Sequence, residues 1–283
     1  MRIRSLSSSL LALVLVLSLA APAVAARPAR VPGRSADRTL LATLPDGVRV
    51  SRDRDTGLVR ALHGGRRPLA TARDLGVPAT TAAAGSTFLA RDGGLFDVGE
   101  PARDLRLVRV ARSGGAGSYA RYQQTLNGVP VLGGELVVVV DQAHNVRAVD
   151  GEVTRDRSVD TRPTVSRATA VRTAREAVAR GTGRDASGLR ADPPTRWILD
   201  PRLLDALGLP FARLVWRTRV RDTSGLVDRF VALDARTGAV VLDFDRLHTG
   251  IPSTAMGPPR SMRTAMWPST RRWPSGTWPP PGC

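Results

Sequence analysis

The sequence predicts an α+β protein built as two small units, each an antiparallel sheet with a helix packed across it. An export signal precedes these units and a disordered tail follows them. Three observations carry this reading. Residues 104–153 hold β-rich runs separated by Gly, Asn and Asp turns, the pattern of a meander. An Ala-rich amphipathic run begins after Thr164 and Ser166, either of which can cap a helix to about Arg180. Residues 211–242 alternate again, first as one strand and then as a hairpin.

Each element has a local reason. Arg2 and Arg4 form a basic head, Leu10 to Ala20 an apolar run, and Ala21 to Ala26 a small-residue cleavage zone, so residues 1–26 read as a signal peptide. The apolar run is shorter than the ~20 residues of a membrane span, and the mature chain is expected to be exported, with no membrane association after cleavage. Residues 27–44 begin with Pro, Gly and Arg and read as a linker. A first domain is expected over 45–156. Val48–Val50 and Leu58–Ala61 flank Asp55-Thr-Gly57, a hairpin in which Gly57 supplies the positive φ. Residues 80–91 suit a helix with Ala83, Phe88 and Leu89 on its apolar side, ended by Gly93-Gly94, with Leu95 and Phe96 returning to the core.

The meander follows. Asp104–Arg112 is expected to pair with Arg121–Leu126 through the Gly114–Gly117 loop, and Leu136–Val140 reads as a continuously buried apolar strand. A turn over Gln142–Asn145, with a solvated His144 and with Asn145 as its left-handed residue, leads into Val146–Val149. A second domain is expected over 160–249. Its helix presents Ala168, Val171, Ala174 and Val178 on one face, and Gly181–Gly188 is a loop. In Phe211–Arg221, Leu214, Trp216, Thr218 and Val220 face inward. Arg213, Arg217, Arg219 and Arg221 face outward, as a solvated face on a charge-protected edge. Val227–Leu233 and Ala239–Leu242 form a hairpin around Asp234–Gly238. Residues 250–283 are Pro-rich, hold three of the five Trp and no acid, and read as disordered.

Composition excludes several functions. The chain has 283 residues, a formal charge of +17, one Cys (Cys283) and three His (His63, His144, His248). One thiol cannot make an intrachain disulfide or a Cys-based zinc site. Every basic residue is Arg. The first 30 and the last 33 residues carry four Arg each and no acid, so the middle holds the other 34 against all 25 acids, a net +9. These arginines interleave with acids and aromatics are only 4%, so nucleic acid is not expected as a partner. The chain contains no H-E-x-x-H, no G-x-S-x-G and no P-loop, and catalysis is not expected.

The positive signal is YARYQQTLNGVPVLGGELVVVVDQAHNVRAVDGEV, residues 119–153. It resembles the fungalysin/thermolysin propeptide domain in Arg121, Tyr122, Gln123, Gln124, Asn127 to Val131, Gly133, Gly134 and Glu135. It departs at Leu132, where an aromatic is frequent, and at Asn145, where Gly is usual. Residues 164–249 are similar to the PepSY-type domain that follows it in thermolysin-like zinc metallopeptidase precursors, through ARLVWRTRV and DRFVALDARTGAVVLDFD.

The resemblance covers 45–249 and implies a secreted pro-region that helps a catalytic domain fold and inhibits it until cleavage. That catalytic domain is the implied partner, and zinc and calcium would belong to it rather than to this chain. His248-Thr249 would lie just before it, and residues 251–283 read instead as an out-of-frame stretch. An inhibitor or chaperone acting in trans and an Arg-rich polyanion binder are the alternatives. Tyr122, Gln124, Gly128, Pro130 and Trp216 are the candidates for structural roles or partner contact, with turns and core favoured over direct contact.

Overall fold

The computed structural model describes residues 41–53, 57–113, 117–204 and 211–247. The expected signal peptide, most of the expected linker, residues 54–56, 114–116 and 205–210, His248, Thr249 and the expected tail lie outside the described residues. The architecture is α+β. Strands β1 (Arg49–Arg52), β2 (Val59–His63), β3 (Leu105–Ser113), β4 (Gly117–Leu126), β5 (Val129–Asp141) and β6 (Val146–Glu152) form an antiparallel sheet. Its order is β3-β4-β5-β6-β2-β1. The predicted first hairpin is present, with Gly57 at φ +71°.

Helix α1 (Thr81–Asp92) crosses this sheet. Thr80 is extended and its hydroxyl accepts the Ala83 N–H at 3.1 Å, satisfying one of the free amides of the first turn. Phe88 and Leu89 are buried as expected, but Ala84 and Gly85, rather than Ala83, complete the inner face. The cause is Tyr122: a Cβ on Gly85 would lie 2.5 Å from its hydroxyl, so only glycine lets this ring reach under the helix. Leu95 and Phe96 fold back into the core, and α2 (Pro101–Asp104) is a single turn that feeds β3. Leu41 and Leu44, in the segment expected to be linker, pack against this same core.

A second sheet contains β7 (Leu189–Ala191), β8 (Thr195–Leu199), β9 (Arg213–Asp222), β10 (Asp228–Asp234) and β11 (Val240–Asp245). Helix α3 (Arg167–Thr182) packs on one face, capped by Ser166, whose hydroxyl accepts the Thr169 N–H at 3.1 Å. Gly183 ends the helix at φ +66°, so Gly181, expected in a loop, is still helical. The buried stripe is Ala170, Ala174, Val178 and Ala179. Ala168 is exposed and Val171 only half-buried, because Ala170, Ala174 and Val178 repeat every four residues toward β9 and β7.

Strand β5 joins the two sheets. Residues 135–141 pair with β4 and β6, whereas Val131 and Leu132 pair in parallel with Ile198 and Leu199 of β8. Leu136–Val140 is not continuously buried as expected: Leu136, Val138 and Val140 are fully enclosed while Val137 and Val139 are half-exposed. Only one face of the first sheet is covered by α1, so period-two alternation prevails. At the β5–β6 turn the left-handed residue is His144 (φ +61°), not Asn145. Asn145 is held instead by Asp141, which accepts both its backbone and its side-chain N–H at 3.0 Å, and its own oxygen accepts the Ala72 N–H at 2.8 Å. His144 is half-buried rather than solvated.

Candidate partner-contact site

The structure separates the five residues marked in the sequence into two groups. Tyr122, Gln124 and Trp216 are interior. The Tyr122 hydroxyl donates to Ala82 O at 2.9 Å, and burial raises its pKa while a hydrogen bond with Ser86 opposes the rise. Trp216 lies in the core beneath α3; its Nε1 donates to Val165 O at 2.8 Å, and the Arg167 guanidinium sits over its ring.

Gln124 is completely buried and clamps the backbone of one residue, Thr154, through both of its polar groups. Its Nε2 donates to Thr154 O at 2.9 Å and its Oε1 accepts Thr154 N–H at 2.7 Å. The Thr154 hydroxyl then donates to Asp200, tying the end of the first sheet to the second unit. Burial pushes the Asp200 carboxyl upward, but hydrogen bonds from Arg202 and Thr154 outweigh it and hold the pKa below the usual range.

The neighbouring Gln123 shows why the motif has two glutamines and two glycines. Between Gln123 and Thr125 the β4–β5 register breaks, and residues 131–134 leave β4 to reach β8. Gln123 Nε2 fills the gap, donating to Val131 O at 2.6 Å and Gly134 O at 2.8 Å. Gly133 takes φ +78°, and a Cβ on Gly134 would stand 2.9 Å from both Gln124 Oε1 and Val131 Cβ. The Q-Q…G-G spacing therefore builds the crossover between the sheets.

Gly128 and Pro130 belong to the second group and reach the surface. Asn127 (φ +50°) and Gly128 (φ +75°) make the two-residue turn that closes the β4–β5 hairpin. Gly128 and Pro130, together with Arg103, Leu105, Arg106 and Thr125, line an open cleft of about 320 Å³ at the start of β3. Below it Asp104 is buried. Burial raises its pKa, but hydrogen bonds from Arg157, Arg103 and the Glu100 N–H outweigh that and hold it low.

Two features had no signal in the sequence. Strand β9 is central, paired with β7 and β8 on one side and β10 on the other, so its arginines are not an edge. Arg213 pairs with Asp234, Arg219 with Asp228 and Arg221 with Asp192. Arg217 stacks over Trp197 at 4.4 Å and Phe230 at 5.2 Å, and burial followed by Arg246 lowers its pKa. The Asp104–Arg157 and Thr154–Asp200 pairs connect positions 53 and 46 residues apart, a distance at which no local pattern operates. Among the described residues no group of three or more His, Cys, Asp or Glu is placed to hold a metal ion.

The fold and the crossover define a class, a two-sheet α+β body organised around the β4–β5 hairpin. Residues 103–153 match the family described as Fungalysin/Thermolysin Propeptide Motif. The chain is 31% identical to Bacillolysin of Bacillus amyloliquefaciens over 85 residues, which is 30% of this chain and 16% of that one. It is 35% identical to Bacillolysin of Bacillus subtilis (strain 168) over 66 residues, 23% of this chain and 12% of the other. The chain thus spans under a fifth of the length of these relatives. Among solved structures, the Bacillus megaterium YpeB C-terminal domain aligns over 75% of this chain and 95% of its own, at 12% identity and a TM-score of 0.32, too loose a likeness to build on. The resemblance to the pro-region of thermolysin-like peptidase precursors, read from residues 119–153, holds.

Proposed function

We propose that this chain acts as an exported pro-region: it assists the folding of a thermolysin-like metallopeptidase domain and inhibits it, without catalysis of its own. The observation that carries the reading is that the matched motif is the structural centre of the molecule. Its glutamines and glycines build the crossover joining both sheets, which gives a preformed body with a broad surface. Such a body lowers a slow folding barrier when it binds the folding transition state of its partner more tightly than the unfolded chain. It inhibits when the same contact covers the active-site face. Export follows from the basic–apolar–small pattern of residues 1–26, and zinc and calcium would reside in the partner. The pairing of the β9 arginines with Asp192, Asp228 and Asp234 favours this reading over general polyanion binding.

The test is refolding in trans. Denatured mature Bacillolysin of Bacillus subtilis is diluted into buffer with and without the full chain, and recovered peptidase activity is measured; native enzyme is assayed in parallel with added chain. The expected results are a higher refolding yield and a slower hydrolysis rate. Unchanged yield together with unchanged rate refutes the proposal.

A further inference from the structure

The first sheet leaves an unusual edge. Strand β3 pairs only with β4 among the described strands, and at nine residues it is longer than the other outer strands, β1 with four, β7 with three and β11 with six. Side chains on both of its faces are open. Leu107, Val108 and Val110 are 42%, 44% and 47% exposed, and Arg106, Arg109 and Arg112 alternate among them, exposed as well. None of these three arginines forms an ion pair among the described residues, and Arg121, opposite Arg109, is already taken by Glu135.

A free strand edge offers a row of unpaired N–H and C=O groups, and charge on that edge decides what can use them. A second copy is disfavoured, because two β3 strands side by side would set arginine against arginine. The chain's own ends do not fit either: residues 1–40 contain one acid, Asp37, and residues 248–283 contain none. Strand β11 carries Asp243 and Asp245, both paired with Arg229, and so has the opposite character. The cleft lined by Leu105, Arg106, Gly128 and Pro130 opens at the head of β3, where a side chain of an added strand would enter.

We propose that β3 is a docking strand for an extended, carboxylate-bearing polypeptide segment of a partner, which adds to the sheet at this edge with its acids on Arg106, Arg109 and Arg112 and its apolar residues on Leu107, Val108 and Val110. On the reading above, the segment belongs to the peptidase; the surface itself is argued from this chain alone.

The experiment is amide hydrogen exchange on the full chain with a blocked peptide alternating Glu and Val, as long as β3, and a Lys/Val peptide as control. The Glu/Val peptide is expected to slow exchange of β3 amides by about tenfold at saturation, and the Lys/Val peptide to leave them unchanged. In the triple variant Arg106→Glu, Arg109→Glu, Arg112→Glu the preference reverses, with unchanged β5 exchange reporting an intact fold. Protection by both peptides, by neither, or at β1 or β11 instead of β3 overturns the inference. Because the refolding assay uses different reagents, failure of either reading leaves the other measurable.

Discussion

Replacing Gln124 by Leu keeps most of the side-chain volume and deletes both arms of the clamp on Thr154. The Thr154 N–H and C=O then lose their partners, 2.7 and 2.9 Å away, in a site where Gln124 itself is 0% exposed. Stranding a buried peptide group costs about 1–3 kcal/mol, so two give a loss of about 2–6 kcal/mol. Urea unfolding followed by far-UV circular dichroism reads this as a lower midpoint. Gln124→Glu refines the argument: its ionised carboxylate still accepts from Thr154 N–H but faces Thr154 O with no proton to donate. Only the protonated acid restores both bonds, so the folded-state pKa of this Glu rises above its unfolded value. The penalty relative to the native chain is therefore smallest at low pH and grows as pH rises past the ordinary glutamate range, near 4.3. A Leu variant that loses less than about 1 kcal/mol, or a Glu variant with a pH-independent penalty, refutes the clamp.

Other perturbations give separable outcomes. Gly134→Ala pushes a methyl to 2.9 Å from Val131 Cβ and Gln124 Oε1 and is expected to cost about 1–3 kcal/mol by chemical denaturation. Gly128→Ala meets open space and costs only its left-handed backbone, about 1 kcal/mol. Asp104 and Asp200 have lowered pKa values, so their stabilisation is present above the ordinary aspartate range near 3.9 and is lost as pH falls through the lower folded values. Asp104→Asn and Asp200→Asn should each weaken the chain at pH 7 and flatten its acid limb, measured by thermal melts across pH. Trp216→Phe removes the bond to Val165 O and leaves a gap under α3, lowering stability by about 1–3 kcal/mol in the same melts.

Local chemistry was legible in the sequence and long-range chemistry was not. The Asn127-Gly128 turn, the Ser166 cap and the inward set Leu214, Trp216, Thr218 and Val220 are all decided within a few residues, and each is where the pattern puts it. Val215, on the opposite side of β9, is also fully buried, because Leu199, Phe230 and Ala232 cover that face. Alternation counts polarity and cannot see such a cover. The same limit explains the arginines of β9: outward charge reads as an edge, yet carboxylates on β10 and at Asp192 neutralise three of the four inside the sheet. The parallel contact of β5 with β8 rests on only two residue pairs, too few to leave a period. Tyr122, Gln124 and Trp216 stood out through resemblance or size, and the structure gives each an interior partner. Gly128 and Pro130 reach the surface cleft, and their open neighbour β3 was legible only as a β-former.

The thirteen residues of β5 have a consequence for how this chain comes apart. A strand that supplies hydrogen bonds to both sheets makes each core a boundary condition for the other. Melting the β8–β9 half frees Val131 and Leu132, and with them the Gly133-Gly134 bend on which Gln123 and Gln124 close. Amides deep in the two cores, such as those of Val138 and Val231, are therefore expected to exchange through one shared opening with a common free energy. Such coupling turns a single cut near residue 132 into the loss of both halves.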